Sequence, residues 1–320
     1  VKALIDFENA PVFAIGPRAG FTDGCEGMLI EGPQGWGEFS PPRGSSDPVA
    51  VRWLTSAIEG GTVGWPDPVR GRVPVAVAVP PVAASIARAI TADSGCRAAD
   101  VRLSGDSAAD LARLEAVRDA LGPDGSIRGI AGGLWDVSTA AAAIPVLDRA
   151  AGGLEYVEQP CAEPADLAAV RRRVDVRIAA DVAMLTNSDP SWRTLPEAAD
   201  VAVLSVGPLG GVRRALRVAE TSGLPCVVCA APQTSIGMAG GLALAGVLPD
   251  LPFACGLGAV AGLAGDVVSA ARSLVPGDGL LPVAPMAPAP DAAQVARFTP
   301  ADAEQLAWWR RRLQAVAQLL

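Results

Sequence analysis

Two absences decide much of what this chain can do chemically. It contains no histidine, and its single lysine is Lys2. A Ser-His-Asp triad, a Cys-His pair, a histidine metal ligand and a buried lysine base are therefore excluded within the chain. Six cysteines remain as nucleophile candidates: Cys25, Cys96, Cys161, Cys226, Cys229 and Cys255. Only Cys226 and Cys229 form a C-x-x-C, and they lie in the apolar run Pro225-Cys226-Val227-Val228-Cys229. On an extended strand those two sulfurs point to opposite faces, which argues against a zinc or redox pair. Cys161 and Cys229 have no histidine to activate them and read as small core residues. The chemistry left to the chain belongs to carboxylates, arginines, backbone amides and the shape of a pocket.

The formal net charge is −8, and no basic surface suited to nucleic acid is visible. Arg171 to Arg173 and Arg310 to Arg312 are short basic runs inside helical patterns, where they read as solvated helix ends. No apolar run reaches the ~20 residues of a membrane span. Val1 to Asp6 is strand-like and lacks the apolar region and cleavage site of a signal peptide. The sequence reads as a soluble, cytoplasmic protein whose partner is a small molecule, with no nucleic-acid or membrane partner.

Positioning any reactive group requires a scaffold, and the chain repeats one. From Val73 onward, short β-branched runs alternate with polar or Gly-rich loops and Ala/Leu/Arg helices of 3.6 spacing. The runs are Val73–Val79, Asp100–Leu103, Ile127–Ala131, Leu154–Glu158, Val176–Asp181, Val201–Val206, Cys226–Ala230 and Phe253–Gly258. Strands alternating with helices in this number predict a closed parallel α/β barrel. No G-x-G-x-x-G follows the first strand, which weakens the doubly wound alternative. Phe7–Ile15 and Met28–Glu31 read as antiparallel strands, and Pro48–Glu59 reads as a helix. Leu274–Pro290 is rich in Pro and Gly and predicts irregular chain. A last helix runs from about Pro300 to Leu319. The expected organisation is an α+β capping domain from residues 1–72 plus 273–320, on a barrel of residues 73–272.

Five passages carry a family resemblance: Gly35-Trp36-Gly37-Glu38-Phe39, Leu154-Glu155-Tyr156-Val157-Glu158-Gln159-Pro160-Cys161, Ile178-Ala179-Ala180-Asp181, Pro208-Leu209-Gly210-Gly211 and Ala254-Cys255-Gly256-Leu257-Gly258. In this order and spacing the sequence resembles actinobacterial o-succinylbenzoate synthases of the enolase superfamily. That resemblance implies a capping domain on a modified TIM barrel, (β/α)₇β. It also implies a reaction. A lysine removes a proton alpha to a carboxylate, a Mg²⁺ held by three carboxylates stabilises the enediolate, and a second lysine faces the first.

Against that pattern the chain departs at the barrel rim. The family's Lys-x-Lys on the second strand corresponds to Asp100-Val101-Arg102, which puts Arg102, an obligate cation, at the base position. The third strand's aspartate corresponds to Ile130 within Arg128-Gly129-Ile130-Ala131-Gly132. Glu158 and Asp181 keep the other two ligand positions, but the Glu-Ser expected after Asp181 is Val182-Ala183. The sixth strand's lysine corresponds to Ser205, and a polar Ser-Ser on the seventh to Cys229-Ala230.

The reading that follows is a repurposed, metal-independent and cofactor-free enzyme acting on an apolar small molecule. Cyclisation, pericyclic ring closure or acid-assisted dehydration are the candidate reactions, and bacterial secondary metabolism is the setting. A non-catalytic binding protein with a filled pocket is the alternative, and residual o-succinylbenzoate synthase activity is a third. Glu158, Asp181 and Arg102 are the expected catalytic groups. Ile130, Gly132, Trp135, Ser205, Cys229, Gln233, Gly256, Gly258 and Arg18 are the expected substrate-binding residues. Trp135 also fits a core role, and Gln233 a solvated loop. Glu158 and Asp181 lie on neighbouring strands without a metal. Either Arg102 compensates them or one holds its proton.

Overall fold

The computed structural model describes residues 5–185 and 194–320. The expected strand-like start at Val1 to Asp6 lies partly outside the described residues. Strands β1 (Val12–Ile15), β2 (Cys25–Gly32) and β3 (Gly35–Phe39) form an antiparallel meander, with Val12 opposite Met28 and Met28 opposite Phe39. Helix α1 (Asp47–Thr62) buries Ala50, Trp53, Leu54 and Ala57 against this sheet.

The expected first barrel strand divides in two. β4 (Arg72–Pro74) pairs antiparallel with the later segment Leu280–Pro282, while β5 (Val77–Val79) joins the parallel sheet. Then α2 (Ala84–Asp93), β6 (Ala98–Arg102), α3 (Ser107–Leu121), β7 (Ser126–Ile130), α4 (Val137–Ala150), β8 (Tyr156–Glu158), α5 (Pro164–Arg171) and β9 (Ile178–Asp181) alternate in order. Short helices α6 (Val182–Leu185) and α7 (Leu195–Ala198) precede β10 (Val201–Leu204). α8 (Val206–Leu209), α9 (Val212–Ser222), β11 (Cys226–Val228) and α10 (Ser235–Val247) follow. Side-chain oxygens start several helices: Asp106 accepts from Ala108 and Ala109, and Asp136 from Thr139.

The seven parallel strands run in the order β11-β10-β9-β8-β7-β6-β5. The eighth expected strand, at residues 253–258, forms bridges instead of a ladder. Val75 bridges Cys255 and Cys229 bridges Gly256, with Ala76 N donating to Cys255 O (2.9 Å) and Gly256 N to Val228 O (2.9 Å). These contacts close the sheet into a barrel. Pro252 and the glycines at 256 and 258 limit this segment to a few ladder bonds. The stretch from Leu274 is less irregular than its composition predicts, because β12 (Leu280–Pro282) pairs with β4 across the barrel floor. Helix α11 (Ala292–Phe298) precedes α12 (Ala303–Ala317), which packs Trp309 and Leu313 into the cluster beneath α1. No helix of the described residues is long and apolar enough to cross a membrane.

Two carboxylates fasten the N-terminal layer to the barrel through helix N-termini, where free amides and the helix dipole favour negative charge. Glu59 accepts from Val212 N (2.5 Å) and Arg213 N (3.2 Å) at the start of α9. Gly211 makes room for it: a Cβ there would lie 2.1 Å from Glu59 Oε2. Glu38 accepts from Thr234 N (3.1 Å), Gly237 N (3.2 Å) and the Thr234 hydroxyl at the start of α10. Burial of Glu38 outweighs these bonds and pushes its pKa up to about 7.

Candidate active site

A cavity of about 180 Å³ opens at the C-terminal ends of the barrel strands. The ends of β5 to β8 contribute Ala78, Val79, Asp100, Arg102, Ile130 and Glu158. The stretch after β11 contributes Cys229, Ala230 and Pro232, and the closing segment Gly256. The loop between β1 and β2 covers it with Phe21, Thr22 and Asp23. Most of the lining is apolar, but Asp23, Asp100, Arg102 and Glu158 bring ionisable groups to the same space, and the volume suits a compact ligand.

Glu158 ends β8 and is 9% exposed. Among the described residues its carboxyl makes no hydrogen bond. Burial, then the neighbouring Asp181 and Asp100, push its pKa up to about 8, against weaker pulls from Arg128 and Arg102. Asp181, at the end of β9, is also raised by burial, while its Oδ1 accepts from Ala183 N (2.8 Å). Gln159 fixes the two strand ends. Its backbone lies in the left-handed region at φ 45°, its Oε1 accepts from Asp181 N (2.9 Å) and its Nε2 donates to Cys161 O (2.9 Å). A non-glycine residue held in that region is a local strain of the kind found beside functional groups.

Arg102 lines the cavity but is exposed and forms no ion pair with Glu158 or Asp181 among the described residues. The position of its strand end is set from behind. Asp110 accepts from Ser104 N (2.9 Å), and Arg113, buried and paired to Asp110 at 2.6 Å, donates to Arg102 O (3.2 Å). Compensation of the carboxyl pair by Arg102 is therefore not what the structure adopts.

The cation that does enter the barrel is Arg128. It is fully buried, and its Nε donates to Asp100 Oδ1 (2.7 Å), directly opposite it in the β6–β7 register. Its Nη1 donates to Ala254 O in the closing segment, and its guanidinium lies 5.4 Å from the centre of the Tyr156 ring. Burial raises the Asp100 pKa above its ordinary value, against the pull of Arg128. Neither residue was singled out as a site residue from the sequence. The available signal was an acid and an arginine facing each other on adjacent strands, with the same inward parity.

Of the expected site residues, Glu158, Arg102, Ile130, Cys229 and Gly256 meet at this cavity. Arg18 and Gly258 line a neighbouring cavity of about 360 Å³ that shares only Phe21 with the first. Gln233 is buried beside Glu38 and Gly237 under the capping sheet, in a separate small cavity of about 20 Å³, so it is neither a solvated loop residue nor part of the 180 Å³ cavity. Trp135 is half-buried against the barrel core, Ser205 precedes α8, and Gly132 is exposed; none lines the cavity.

The Mg²⁺ that the resemblance implies needs several oxygen ligands in near-octahedral array. Ile130 stands opposite Glu158 in the β7–β8 register and presents an alkyl wall. Among the described residues no three acidic or cysteine side chains gather to hold a metal ion. The residues present do not fit Mg²⁺. Calorimetry is expected to detect no Mg²⁺ binding at millimolar concentration, and micromolar affinity would contradict this.

The fold and site together define an enolase-type protein, and the comparisons agree. Residues 82–285 match the family model described as enolase C-terminal domain-like, and residues 22–61 the enolase N-terminal domain-like model. The o-succinylbenzoate synthase of Thermobifida fusca is 52% identical over 261 residues, covering 81% of each chain. That of Mycobacterium ulcerans is 42% identical over 300 residues, covering 92% of this chain and 88% of its own. The chain belongs to the o-succinylbenzoate synthase family of the enolase superfamily. Among solved structures, the L-Ala-D/L-Glu epimerase of Bacillus subtilis has a TM-score of 0.74 at 18% identity, over 88% of this chain and 96% of its own. The muconate lactonizing enzyme of Pseudomonas fluorescens has a TM-score of 0.75 at 21% identity, over 92% and 98%. These two show the fold.

Proposed function

We propose that this chain is a repurposed member of its family, an enzyme that works without a metal ion on an apolar small molecule. The reaction is a cyclisation, a pericyclic ring closure or an acid-assisted dehydration, set in bacterial secondary metabolism. The observation that carries this reading is the open cavity, apolar over most of its lining, with Glu158 at its wall, nearly buried and without a hydrogen-bond partner among the described residues. A carboxyl desolvated in this way costs stability unless a ligand satisfies it. A non-catalytic remnant is expected to have that mouth filled by bulky side chains.

In this reading Glu158 donates its proton or a hydrogen bond to a substrate carbonyl or leaving hydroxyl. Asp181 favours the protonated state of the pair. Ile130, Val79 and Ala230 exclude water and hold the substrate in a reactive conformation, which by itself accelerates ring closures. Arg102 stands at the rim for a developing negative charge. The family's own reaction is the competing reading, favoured by the 52% identity to a synthase. Its chemistry calls for a lysine base, and the barrel segments contain no lysine.

Indole tests the cavity directly as a neutral apolar probe. Calorimetry is expected to show millimolar or tighter binding that disappears in Ile130→Trp, which fills the space. Absence of binding to the unmodified protein would favour the closed remnant.

A further inference from the structure

We propose that Asp100 is the general base of this site. The inference rests on the reading of the cavity as a metal-free active site and adds the residue that takes a proton there.

Asp100 lines the cavity and is 13% exposed. One carboxylate oxygen, Oδ1, is held by Arg128 Nε at 2.7 Å; the other, Oδ2, has no hydrogen bond among the described residues. Gly256 keeps the approach to that free oxygen open. A Cβ at residue 256 would stand 2.8 Å from Asp100 Oδ2 and 2.7 Å from Cys229 Sγ. Arg128 cannot itself meet a ligand, since it is fully buried and anchored to Ala254 O. It therefore serves to orient the carboxylate. A carboxylate gripped on one edge by a buried guanidinium, with its other edge facing an apolar cavity, is positioned as a base must be.

The other groups at the cavity are poorer candidates. Arg102 has no proton-accepting form at ordinary pH. Burial pushes the Cys229 thiol far above its usual range. Asp23 is exposed on the covering loop. Glu158 has no hydrogen-bond partner among the described residues and is the proton donor of the proposed function.

For a dehydration the step balances as follows. Asp100 takes a proton from carbon, and that bonding pair becomes the new C=C bond. The C–O bond on the adjacent carbon breaks, and the oxygen departs as water with the proton of Glu158. Asp100 ends protonated and Glu158 ionised, and solvent returns the proton between them.

The probe 5-nitrobenzisoxazole tests the base without knowledge of the natural substrate. When a base takes its ring C–H proton, the N–O bond breaks and a coloured cyanonitrophenolate is released. The full chain is expected to catalyse this opening with saturation. Asp100→Asn should lower kcat by about 10²–10⁴-fold with KM little changed, and Asp100→Glu should restore part of it. Where Asp100→Asn fails to fold, the double variant Asp100→Leu/Arg128→Met removes both buried charges and carries the same expectation. Saturable turnover that survives loss of Asp100 would overturn this inference and leave the apolar, metal-free cavity standing. Absence of saturation in the unmodified protein would overturn both.

Discussion

Arg128→Met should lower the unfolding free energy by about 3–5 kcal/mol, and adding Asp100→Leu should restore part of it. The single change strands Asp100 without its cation in the barrel interior, where an unpaired carboxylate is expensive. It also removes the bond from Nη1 to Ala254 O, at the seam where the closing segment contributes bridges instead of a full ladder. The double variant removes both members of the Asp100–Arg128 pair but leaves Glu155, 3.7 Å from Arg128 Nη1, without that cation, so the recovery is partial. Denaturant titration checks the pair of values. A single variant within about 1 kcal/mol of the parent would show that the ion pair contributes little.

Stability should fall as pH rises from about 4.5 to 8, by several kcal/mol in total. The sign follows from the direction of two shifts. Glu158 rises from 4.5 to about 8 and Glu38 from 4.5 to about 7, both through burial first. The folded state therefore binds these protons more tightly than the unfolded state. The stabilisation is complete below the unfolded value and is lost as pH passes the folded one. The absence of histidine makes the measurement clean, because no imidazole titrates in this window. Glu38→Gln should make the fall between about pH 4.5 and 7 shallower while leaving the slope between about 7 and 8, and Glu158→Gln should remove the slope between about 7 and 8 and reduce the rest. A profile that is level or rises with pH would contradict the protonated state of both carboxyls.

The barrel was legible because its strands are β-branched runs separated by periodic helices, and buried parallel strands leave that pattern in any sequence. Its closing segment was legible in place but not in form, since glycines and a proline weaken a ladder without shifting the chain. The strand β12 was missed because the Pro-rich composition around Leu280–Pro282 masks a three-residue pairing. At the site, Glu158 and Ile130 follow from the family resemblance, which aligns them with ligand positions on the fourth and third strands. The Asp100–Arg128 pair does not, because Asp100 aligns with a family lysine and its partner lies on the next strand, a contact that the linear sequence does not display. The place of Gln233 in the loop after the seventh strand suggests a site role, but loop direction decides where such a residue goes. Arg18 points into the neighbouring cavity, and Gln233 is buried near the N-terminus of α10.

Turnover of the family's cyclohexadiene substrate tests most directly whether this family member has left the family's reaction. The purified chain, given millimolar Mg²⁺, is expected to form no o-succinylbenzoate above the uncatalysed background. Arg102 cannot accept the proton, and Ile130 supplies no metal ligand. Ordinary turnover that a chelator abolishes would contradict the account and restore the metal-dependent reaction to this barrel.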